Sequence, residues 1–324
     1  MRYITITPDS PLRRLSPLIQ KTRYWGWKYN DRVGIRFLIS GGKVKLMDAE
    51  LNFPEGVGLA YSTPLFWNGP EAYETLTSRT LATLLAHSKA FLDVGSNIGI
   101  YSVYAGVRFP EVKTFAFEPI PAIWKKNRAF HHANRLDEEI VLNMAVGDQD
   151  RTRQIFIPVY TTGIEEEQTA TLCTDSWQTK EERVEAIDVQ CITLDTFAAK
   201  HPLPEGRCAL KIDVENFEAG VFRGARNFMR TRRPWIVCEI LPNQEIDPVT
   251  KVRTNNNQEV VALIEELEYL TYAITPDGYF RMTPADFVRP REIKDFLLLP
   301  KELVASDVCY LAMESLVKLL GGAV

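Results

Sequence analysis

The sequence predicts an α/β protein in which a mostly parallel sheet of seven strands carries helices on both faces, preceded by an N-terminal region that contains β-strands. With 324 residues, of which 45% are hydrophobic and 25% charged, the chain has a globular composition and can bury a full core. From Lys89 onwards, short apolar runs alternate with helical patterns. Nearly continuous apolar strands between helices are typical of a parallel sheet covered on both faces.

Seven apolar runs are predicted as the strands of this sheet, at about 89–94, 112–117, 139–146, 208–213, 235–240, 270–274 and 294–299. Helices are predicted at about 70–87, 98–108, 121–135, 193–200, 217–230 and 258–269. Between the third and fourth strands, the runs RQIFIPVY and IDVQCITL have a β pattern and enclose the polar stretch Thr161–Glu185. We expect this stretch to be a movable flap near the site, because long polar loops commonly carry function.

Residues 1–70 differ from the rest of the chain. They include four aromatic residues between Tyr24 and Tyr29, and alternating runs on both sides of Gly41–Gly42 predict short strands around a turn. We therefore expect an N-terminal substrate or cap region, 1–70, lying over the carboxyl edge of the sheet, and a second domain over 71–324.

Charge and cysteine content argue against several classes of function. The formal net charge is −4 and there is no strongly basic block, so nothing indicates a nucleic-acid partner. None of the five cysteines forms a CxxC pair, which favours a reducing, cytoplasmic setting. No stretch reaches the roughly 18 apolar residues of a membrane span, and no His or Cys cluster has metal-ligand spacing. We expect no membrane or metal partner. Whether the chain forms a homo-oligomer stays open.

Ligands of an open α/β sheet bind beyond the carboxyl ends of its strands, so the residues that end each strand matter most. The first core strand ends in FLDVGSNIGIYS, which supplies Asp93, Gly95, Ser96, Asn97 and Gly99. The glycines allow a tight turn and close packing of the next helix. Their GxxxG spacing lacks the extra glycine of the dinucleotide-binding GxGxxG motif. A carboxylate here suits S-adenosylmethionine, which has no phosphate and carries a cationic sulfonium, better than it suits a pyrophosphate.

The second strand ends in FAFEP and places Glu118, followed by Pro119, at the neighbouring strand tip. A carboxylate at that point can accept hydrogen bonds from both hydroxyls of a ribose. The alternative is structural, because an acidic residue stabilises the start of a helix. The third strand ends in NMAVGD, whose Ala145 and Val146 we expect to lie beside the adenine.

Charged residues end the fourth and fifth strands, where a buried strand should be apolar. Lys211 and Asp213 share a face because side chains alternate along a strand, Glu215 follows in the turn, and Glu239 ends the fifth strand. Core charges are costly unless paired, so a structural Lys–Asp ion pair and a functional site are both open. The candidates for a proton-accepting base are Asp213, Glu215, Lys211 and Glu239, in that order. Lys211 would need a pKa lowered by burial.

The strings FLDVGSNIGIYS, FAFEPIPAIWKKN, NMAVGD and LKIDVENFEAGVFRGA, in this order, resemble the FkbM family of methyltransferases over roughly residues 85–300. The resemblance implies a class I, Rossmann-like fold and S-adenosylmethionine-dependent O-methylation of a small-molecule hydroxyl, on a sugar, a polyketide or another product of secondary metabolism. It implies that the methionine end of the cofactor is bound by Asp93, Gly95, Asn97 and Gly99. Glu118 would hold the ribose, and Asp213, with Glu215, would face the reaction centre. The family usually has glycine where this chain has Asn216, a residue that tolerates left-handed backbone better than most.

Two other functions stay open. A nucleotide-linked oxidoreductase would bind a dinucleotide at the same strand tips, although the GxxxG spacing argues against it. A non-catalytic cofactor-binding module would keep the fold without the chemistry, although the strand-end acids argue against that. We expect methyl transfer without an obligatory metal, because Lys211 would offset the negative charge that a bound cation needs.

Overall fold

A computed structural model of the chain describes residues 2–11, 13, 35–158, 184–241, 256–288, 293–305 and 308–322. Nearly all of the predicted flap, Thr161–Glu185, and the aromatic segment Tyr24–Tyr29 lie outside the described residues. The strands are β1 (Arg2–Ile6), β2 (Ile35–Ile39), β3 (Gly42–Leu46), β4 (Ala49–Phe53), β5 (Ala90–Val94), β6 (Lys113–Phe117), β7 (Val141–Leu142), β8 (Ala145–Val146), β9 (Arg151–Pro158), β10 (Val184–Ile192), β11 (Cys208–Ile212), β12 (Trp235–Glu239), β13 (Tyr269–Thr275), β14 (Gly278–Met282), β15 (Asp295–Pro300) and β16 (Tyr310–Leu311).

The central sheet is larger and more mixed than the sequence predicts. Its strand order in the described residues is β16-β14-β13-β15-β12-β11-β5-β6-β7, nine strands instead of seven. The strands from β12 to β7 pair in parallel, whereas every pairing from β12 to β16 is antiparallel. A prediction of a mostly parallel sheet is therefore wrong for this second part. Thr275 pairs with Gly278 across Pro276–Asp277, a connection so short that β13 and β14 must run antiparallel.

The predicted third strand is two short strands in different sheets. β7 pairs with β6 in the central sheet, whereas β8 pairs with β10 in a separate sheet of order β8-β10-β9. The long β9–β10 pair is the β-like excursion expected from the sequence. It leaves the central sheet just beyond β7, next to the edge where the strand tips lie.

Two of the described helices, Leu59–Asn68 and Met313–Gly321, were not predicted from the sequence. The others correspond to the six predicted helices, with two differences. The helices are α1 (Leu59–Asn68), α2 (Thr75–Leu85), α3 (Ile100–Arg108), α4 (Pro121–Ala133), α5 (Leu194–Lys200), α6 (Glu218–Arg223), α7 (Arg226–Arg232), α8 (Asn256–Glu266) and α9 (Met313–Gly321). The helix predicted from Pro70 begins only at Thr75, because Glu74 has a left-handed backbone with φ of 38°. The helix predicted at 217–230 is divided into α6 and α7 at Gly224–Ala225.

The core consists of two apolar layers, one on each face of the central sheet. Alternation along β5 shows the division, since Phe91 belongs to one layer and Leu92 and Val94 to the other. The first layer contains α1 to α4, α9 and the β3–β4 hairpin, and the second contains α5 to α8. This arrangement leaves the carboxyl edge of β5, β6, β11 and β12 as the place where turns from all four strands meet.

The N-terminal strands differ from the expected turn at Gly41–Gly42. β2 pairs in parallel with β1, and β3, which begins at Gly42, pairs with β4 across Met47–Asp48. β2 and β3 therefore do not pair with each other. The apolar side of the β3–β4 hairpin packs into the same layer as α3 and α4.

A close backbone contact between α6 and the turn after β8 gives a test of this packing. A Cβ on Gly224 would lie 1.9 Å from the carbonyl oxygen of Gly147, so an alanine there forces the two backbones apart. We expect Gly224→Ala to lower the free energy of unfolding by about 1–3 kcal/mol, measured by denaturant titration.

Gly322 is a matched control for this substitution. Both glycines end a helix in the right-handed region, with φ of −81° at Gly224 and −85° at Gly322. A Cβ on Gly322 would meet only ordinary contacts, the nearest at 3.6 Å. Gly322→Ala should change stability by less than about 0.5 kcal/mol, and equal effects of the two substitutions would contradict this packing.

Candidate active site

The turns that follow β5, β6, β11 and β12 line one pocket at the carboxyl edge of the sheet. Because these strands are parallel neighbours, their carboxyl ends meet at the same edge. Most of the residues predicted from the sequence line this pocket, namely Asp93, Gly95, Ser96, Asn97, Glu118, Pro119, Ala145, Val146, Lys211, Asp213, Glu215 and Glu239. Gly99, at the end of the turn that follows β5, does not line the pocket.

Asp93 is almost completely buried at the tip of β5, with 1% of its surface exposed. Its Oδ2 accepts a hydrogen bond from the backbone N–H of Ser102 at 3.1 Å, so the carboxyl also caps the first turn of α3. Burial raises the pKa of Asp93 to about 6, against the opposing effect of the Lys211 charge. Next to it, a Cβ on Gly95 would lie 1.8 Å from the carbonyl oxygen of Asp213, so this glycine lets the β5 and β11 turns touch.

Glu118 is buried at the tip of β6, and one of its carboxyl oxygens makes a hydrogen bond with the backbone. Its Oε1 accepts a hydrogen bond from the backbone N–H of Ile120 at 2.8 Å, just before α4. Glu118 therefore has the structural role considered from the sequence, in which an acidic residue stabilises the start of a helix. Burial raises the pKa of Glu118 to about 7, although backbone N–H groups of Ile120 and Asn97 favour the ionised form. The carboxyl still lines the pocket, so both roles are compatible.

Lys211 and Asp213 form an ion pair on one face of β11. Lys211 Nζ lies 2.8 Å from Asp213 Oδ2, and the side chains are 6% and 25% exposed. Burial opposes the charge of Lys211, but the carboxylates of Asp213, Glu74 and Asp93 raise its pKa above the usual value. This direction is opposite to the lowered pKa that a base role for Lys211 would require. Burial likewise opposes the charge of Asp213, but Lys211 lowers its pKa below the usual value.

Two further carboxyls surround Asp213. Burial raises the pKa of Glu215 to about 8 and that of Glu239 to about 9, and in both cases the negative charge of Asp213 adds to the effect. Glu239 Oε1 also accepts a hydrogen bond from Lys294 Nζ at 2.8 Å. These shifts favour the ionised form of Asp213, whereas for Glu215 and Glu239 they favour the protonated form. The contact with Lys294 opposes that effect at Glu239.

The turn after β11 has the left-handed backbone that its sequence allows. Glu215 and Asn216 have φ of 52° and 73°, so asparagine adopts here the conformation for which the related family uses glycine. Glu218, which the sequence analysis missed, is buried and its Oε1 accepts a hydrogen bond from the backbone N–H of Asn216 at 3.2 Å. This contact holds the turn beside Asp213.

Sequence reasoning also missed several residues that line the same pocket. They are Tyr61, Tyr73, Glu74, Tyr101 and Lys294. Tyr101 donates a hydrogen bond to Glu74 Oε2 at 2.6 Å, and Lys211 Nζ lies 5.2 Å from the centre of the Tyr101 ring. Tyr101 lies in the FLDVGSNIGIYS string, so the helical pattern after the glycines was the one available signal.

Within the described ranges, no group of three or more His, Cys, Asp or Glu side chains is arranged to hold a metal ion. Among the same residues, no helix has both the length and the apolar character needed to cross a bilayer.

Several solved structures are similar to this chain at low sequence identity. Methyltransferase FkbM from Methylobacillus flagellatus KT is 13% identical with a TM-score of 0.35, and the match covers 66% of this chain and 44% of that one. This chain therefore matches less than half the length of that protein. A SAM-dependent O-methyltransferase from Thermotoga maritima is 12% identical with a TM-score of 0.33, covering 70% of this chain and 65% of that one.

An O-methyltransferase from a trans-AT PKS multienzyme of Brevibacillus brevis, in complex with S-adenosyl-L-homocysteine, is 11% identical with a TM-score of 0.34. That match covers 78% of this chain and 82% of that one. At these TM-scores the similarity carries no weight by itself, and no curated protein matches the chain. The family model of the methyltransferase FkbM domain, however, matches residues 93–272, more than half of the 324 residues. The chain therefore belongs to the FkbM methyltransferase family.

Proposed function

We propose that this protein is an S-adenosylmethionine-dependent O-methyltransferase that acts on a hydroxyl group of a small molecule such as a sugar, a polyketide or another secondary metabolite. The observation that carries the proposal is Asp213, a carboxylate kept ionised by Lys211 at 2.8 Å in the pocket at the carboxyl edge of the sheet. Membership of a methyltransferase family argues against the dinucleotide-dependent alternative. An ionised acid in the pocket argues against a module without chemistry.

The residues at the tips of β5 and β6 fit the cofactor. S-adenosylmethionine supplies a methyl group on a cationic sulfonium, and buried carboxyls at two adjacent tips suit a ligand with positive charge and ribose hydroxyls. Asp93 and the turn Gly95–Gly99 would hold the methionine end, and Glu118 with Pro119 the ribose. Ala145 and Val146 provide an apolar surface for the adenine.

Asp213 is the group that takes the acceptor's proton. A hydroxyl must lose its proton as its oxygen bonds to the methyl carbon and the carbon–sulfur bond breaks, and a positioned base contributes typically about 10²–10⁴-fold to such a step. Lys211 orients Asp213 and keeps it ionised. The pKa of Glu215 is raised, and a protonated Glu215 can donate a hydrogen bond to another oxygen of the acceptor.

Tyr61, which belongs to the N-terminal region 1–70, lines this pocket. Tyr61 in α1 donates a hydrogen bond to Asn97 Oδ1 at 3.2 Å, and its ring centre lies 4.9 Å from that of Tyr73. These contacts support the proposal that residues 1–70 form a cap over the carboxyl edge that selects the acceptor.

The ribose role of Glu118 is tested by cofactor affinity. We expect the wild-type chain to bind S-adenosylhomocysteine at micromolar affinity and Glu118→Gln to bind it at least tenfold more weakly, a loss of about 1.4 kcal/mol. Glutamine keeps the shape of the side chain but loses charge-assisted acceptance of the ribose hydroxyls. Isothermal titration calorimetry measures the difference.

Asp195→Asn is the control for Glu118→Gln. The Asp195 carboxylate accepts hydrogen bonds from the backbone N–H of Asn227 at 3.1 Å and of Phe228 at 2.6 Å, away from the pocket. This variant should lose stability but keep its affinity for S-adenosylhomocysteine. An unchanged affinity in folded Glu118→Gln would refute the ribose assignment.

The pKa of about 7 for Glu118 predicts that cofactor affinity depends on pH. The ionised form is the better acceptor, so binding should weaken as Glu118 takes up a proton with falling pH. From about pH 8 to about pH 6, the ionised fraction of such a group falls roughly tenfold, which sets the expected change in affinity. Glu118→Gln should give a much flatter profile, with the remaining slope near pH 6 coming from Asp93. Profiles of equal slope would contradict the assignment.

Asp213→Asn tests the base. Turnover to S-adenosylhomocysteine, with an acceptor identified from a panel of hydroxyl-bearing small molecules, should fall at least about hundredfold. Cofactor affinity should change little. Asp148→Asn is the matched control, because Asp148 pairs with Arg153 at 2.6 Å but does not line the pocket. Wild-type turnover should persist in EDTA, and a loss that Mg²⁺ restores would replace the base role with a metal site.

A further inference from the structure

We propose that Asn127, in the middle of α4, is a positioning residue that fixes the turn Gly95–Gly99 for cofactor binding. It does not line the pocket, so its effect must pass through that turn. This inference rests on the cofactor placement proposed above.

The Asn127 side chain is completely buried and connects α4 to the turn. Its Nδ2 donates one hydrogen bond to the backbone carbonyl oxygen of Asn97 at 2.8 Å and a second to Ser96 Oγ at 3.0 Å. Ser96 Oγ in turn donates to the carbonyl oxygen of Phe117 at 3.2 Å, at the end of β6. One amide group therefore joins the turn after β5 to α4, and through Ser96 to the neighbouring strand.

The turn needs such support because its backbone is unfavourable. Asn97 has φ of 50°, a left-handed conformation that persists in a residue other than glycine only when its surroundings hold it. The Asn97 side chain accepts a hydrogen bond from the next backbone N–H, that of Ile98, at 2.8 Å, so the residue is held on its side-chain side as well. Asn127 Nδ2 donates the hydrogen bond that the Asn97 backbone carbonyl accepts.

The same amide group of Asn127 explains why residue 99 is a glycine. A Cβ on Gly99 would lie 2.3 Å from Asn127 Oδ1. Gly99 does not line the pocket, so the second glycine of GxxxG makes room for the asparagine and not for the ligand. Gly99 and Asn127 are 28 residues apart in the chain, but they act as one unit.

The neighbouring cofactor turn is held in the same way. Asn143 Nδ2 donates to the carbonyl oxygens of Glu118 at 3.0 Å and Pro119 at 2.9 Å. A side-chain amide from outside each turn thus fixes the backbone on both the methionine and the ribose sides.

The experiment compares Asn127→Ala and Asn127→Ser with Asn134→Ala, using calorimetric titration with S-adenosylhomocysteine on the full chain. Asn134 is a matched control, because it ends the same helix and its Nδ2 also makes two hydrogen bonds, to the carbonyl oxygens of Asn52 at 3.1 Å and Phe130 at 2.8 Å. We expect at least a tenfold loss of affinity in Asn127→Ala, a smaller loss in Asn127→Ser, and less than a twofold change in Asn134→Ala.

Hydrogen–deuterium exchange of the ligand-free variants gives a second readout. Amides of residues 95–99 should exchange faster in the Asn127 variants than in the wild type, and at the wild-type rate in Asn134→Ala. Asn127 variants that match the control in both affinity and exchange would overturn the inference. So would failure of both Asn127 variants to fold, since the amide would then determine the fold. A wild-type chain that does not bind S-adenosylhomocysteine would overturn the cofactor placement first, and this inference with it.

Discussion

The buried ion pair between Lys211 and Asp213 is the interaction on which the rest of the site depends. Burying charge in a sheet is costly, and these two side chains offset the cost by direct contact at 2.8 Å. The pairing of β11 with β5 also sets Lys211 opposite Asp93, so one ammonium group serves the carboxylates of two adjacent strand tips. Because Asp213 then keeps its negative charge, the acids around it are pushed towards their protonated forms. The charge of Lys211 thereby helps to give neighbouring carboxyls pKa shifts in opposite directions.

Backbone segments pack closely at the carboxyl edge of the sheet. Glycine residues make room for this packing, and side-chain amides make hydrogen bonds to the backbone there. Four turns must meet there, and two of them approach so closely that only glycine at position 95 leaves room for the backbone of Asp213. Asn97, Glu215 and Asn216, in two of these turns, have left-handed backbone. In the first turn, the Asn127 side chain donates a hydrogen bond to the carbonyl oxygen of Asn97, and in the second turn, Glu218 accepts one from the backbone N–H of Asn216. Asn127, which does not line the pocket, therefore contributes to the geometry of residues that do.

Sequence patterns predicted the strand tips well because those residues follow from local periodicity. Lys211 and Asp213 share a face through the alternation of one strand, and the acids of β5, β6 and β12 end apolar runs. Lys294 was missed because the sequence predicts a strand at about 294–299 but not its direction in the sheet. Since β15 is antiparallel to β12, its start lies at the carboxyl edge, and Lys294 meets Glu239. Glu74 was missed because the helix was predicted to start at Pro70, whereas a left-handed Glu74 precedes it.

The central claim, that Lys211 keeps Asp213 ionised in the pocket, is tested most directly by carbon-13 NMR of aspartate side-chain carboxyls, with the Asp213 signal assigned from Asp213→Asn. In the wild type, we predict that this signal titrates below the ordinary aspartate pKa of about 3.9. In Lys211→Met, the same signal should titrate well above that value, because burial then acts unopposed. An Asp213 carboxyl that takes up its proton near neutral pH in the wild type would contradict the account.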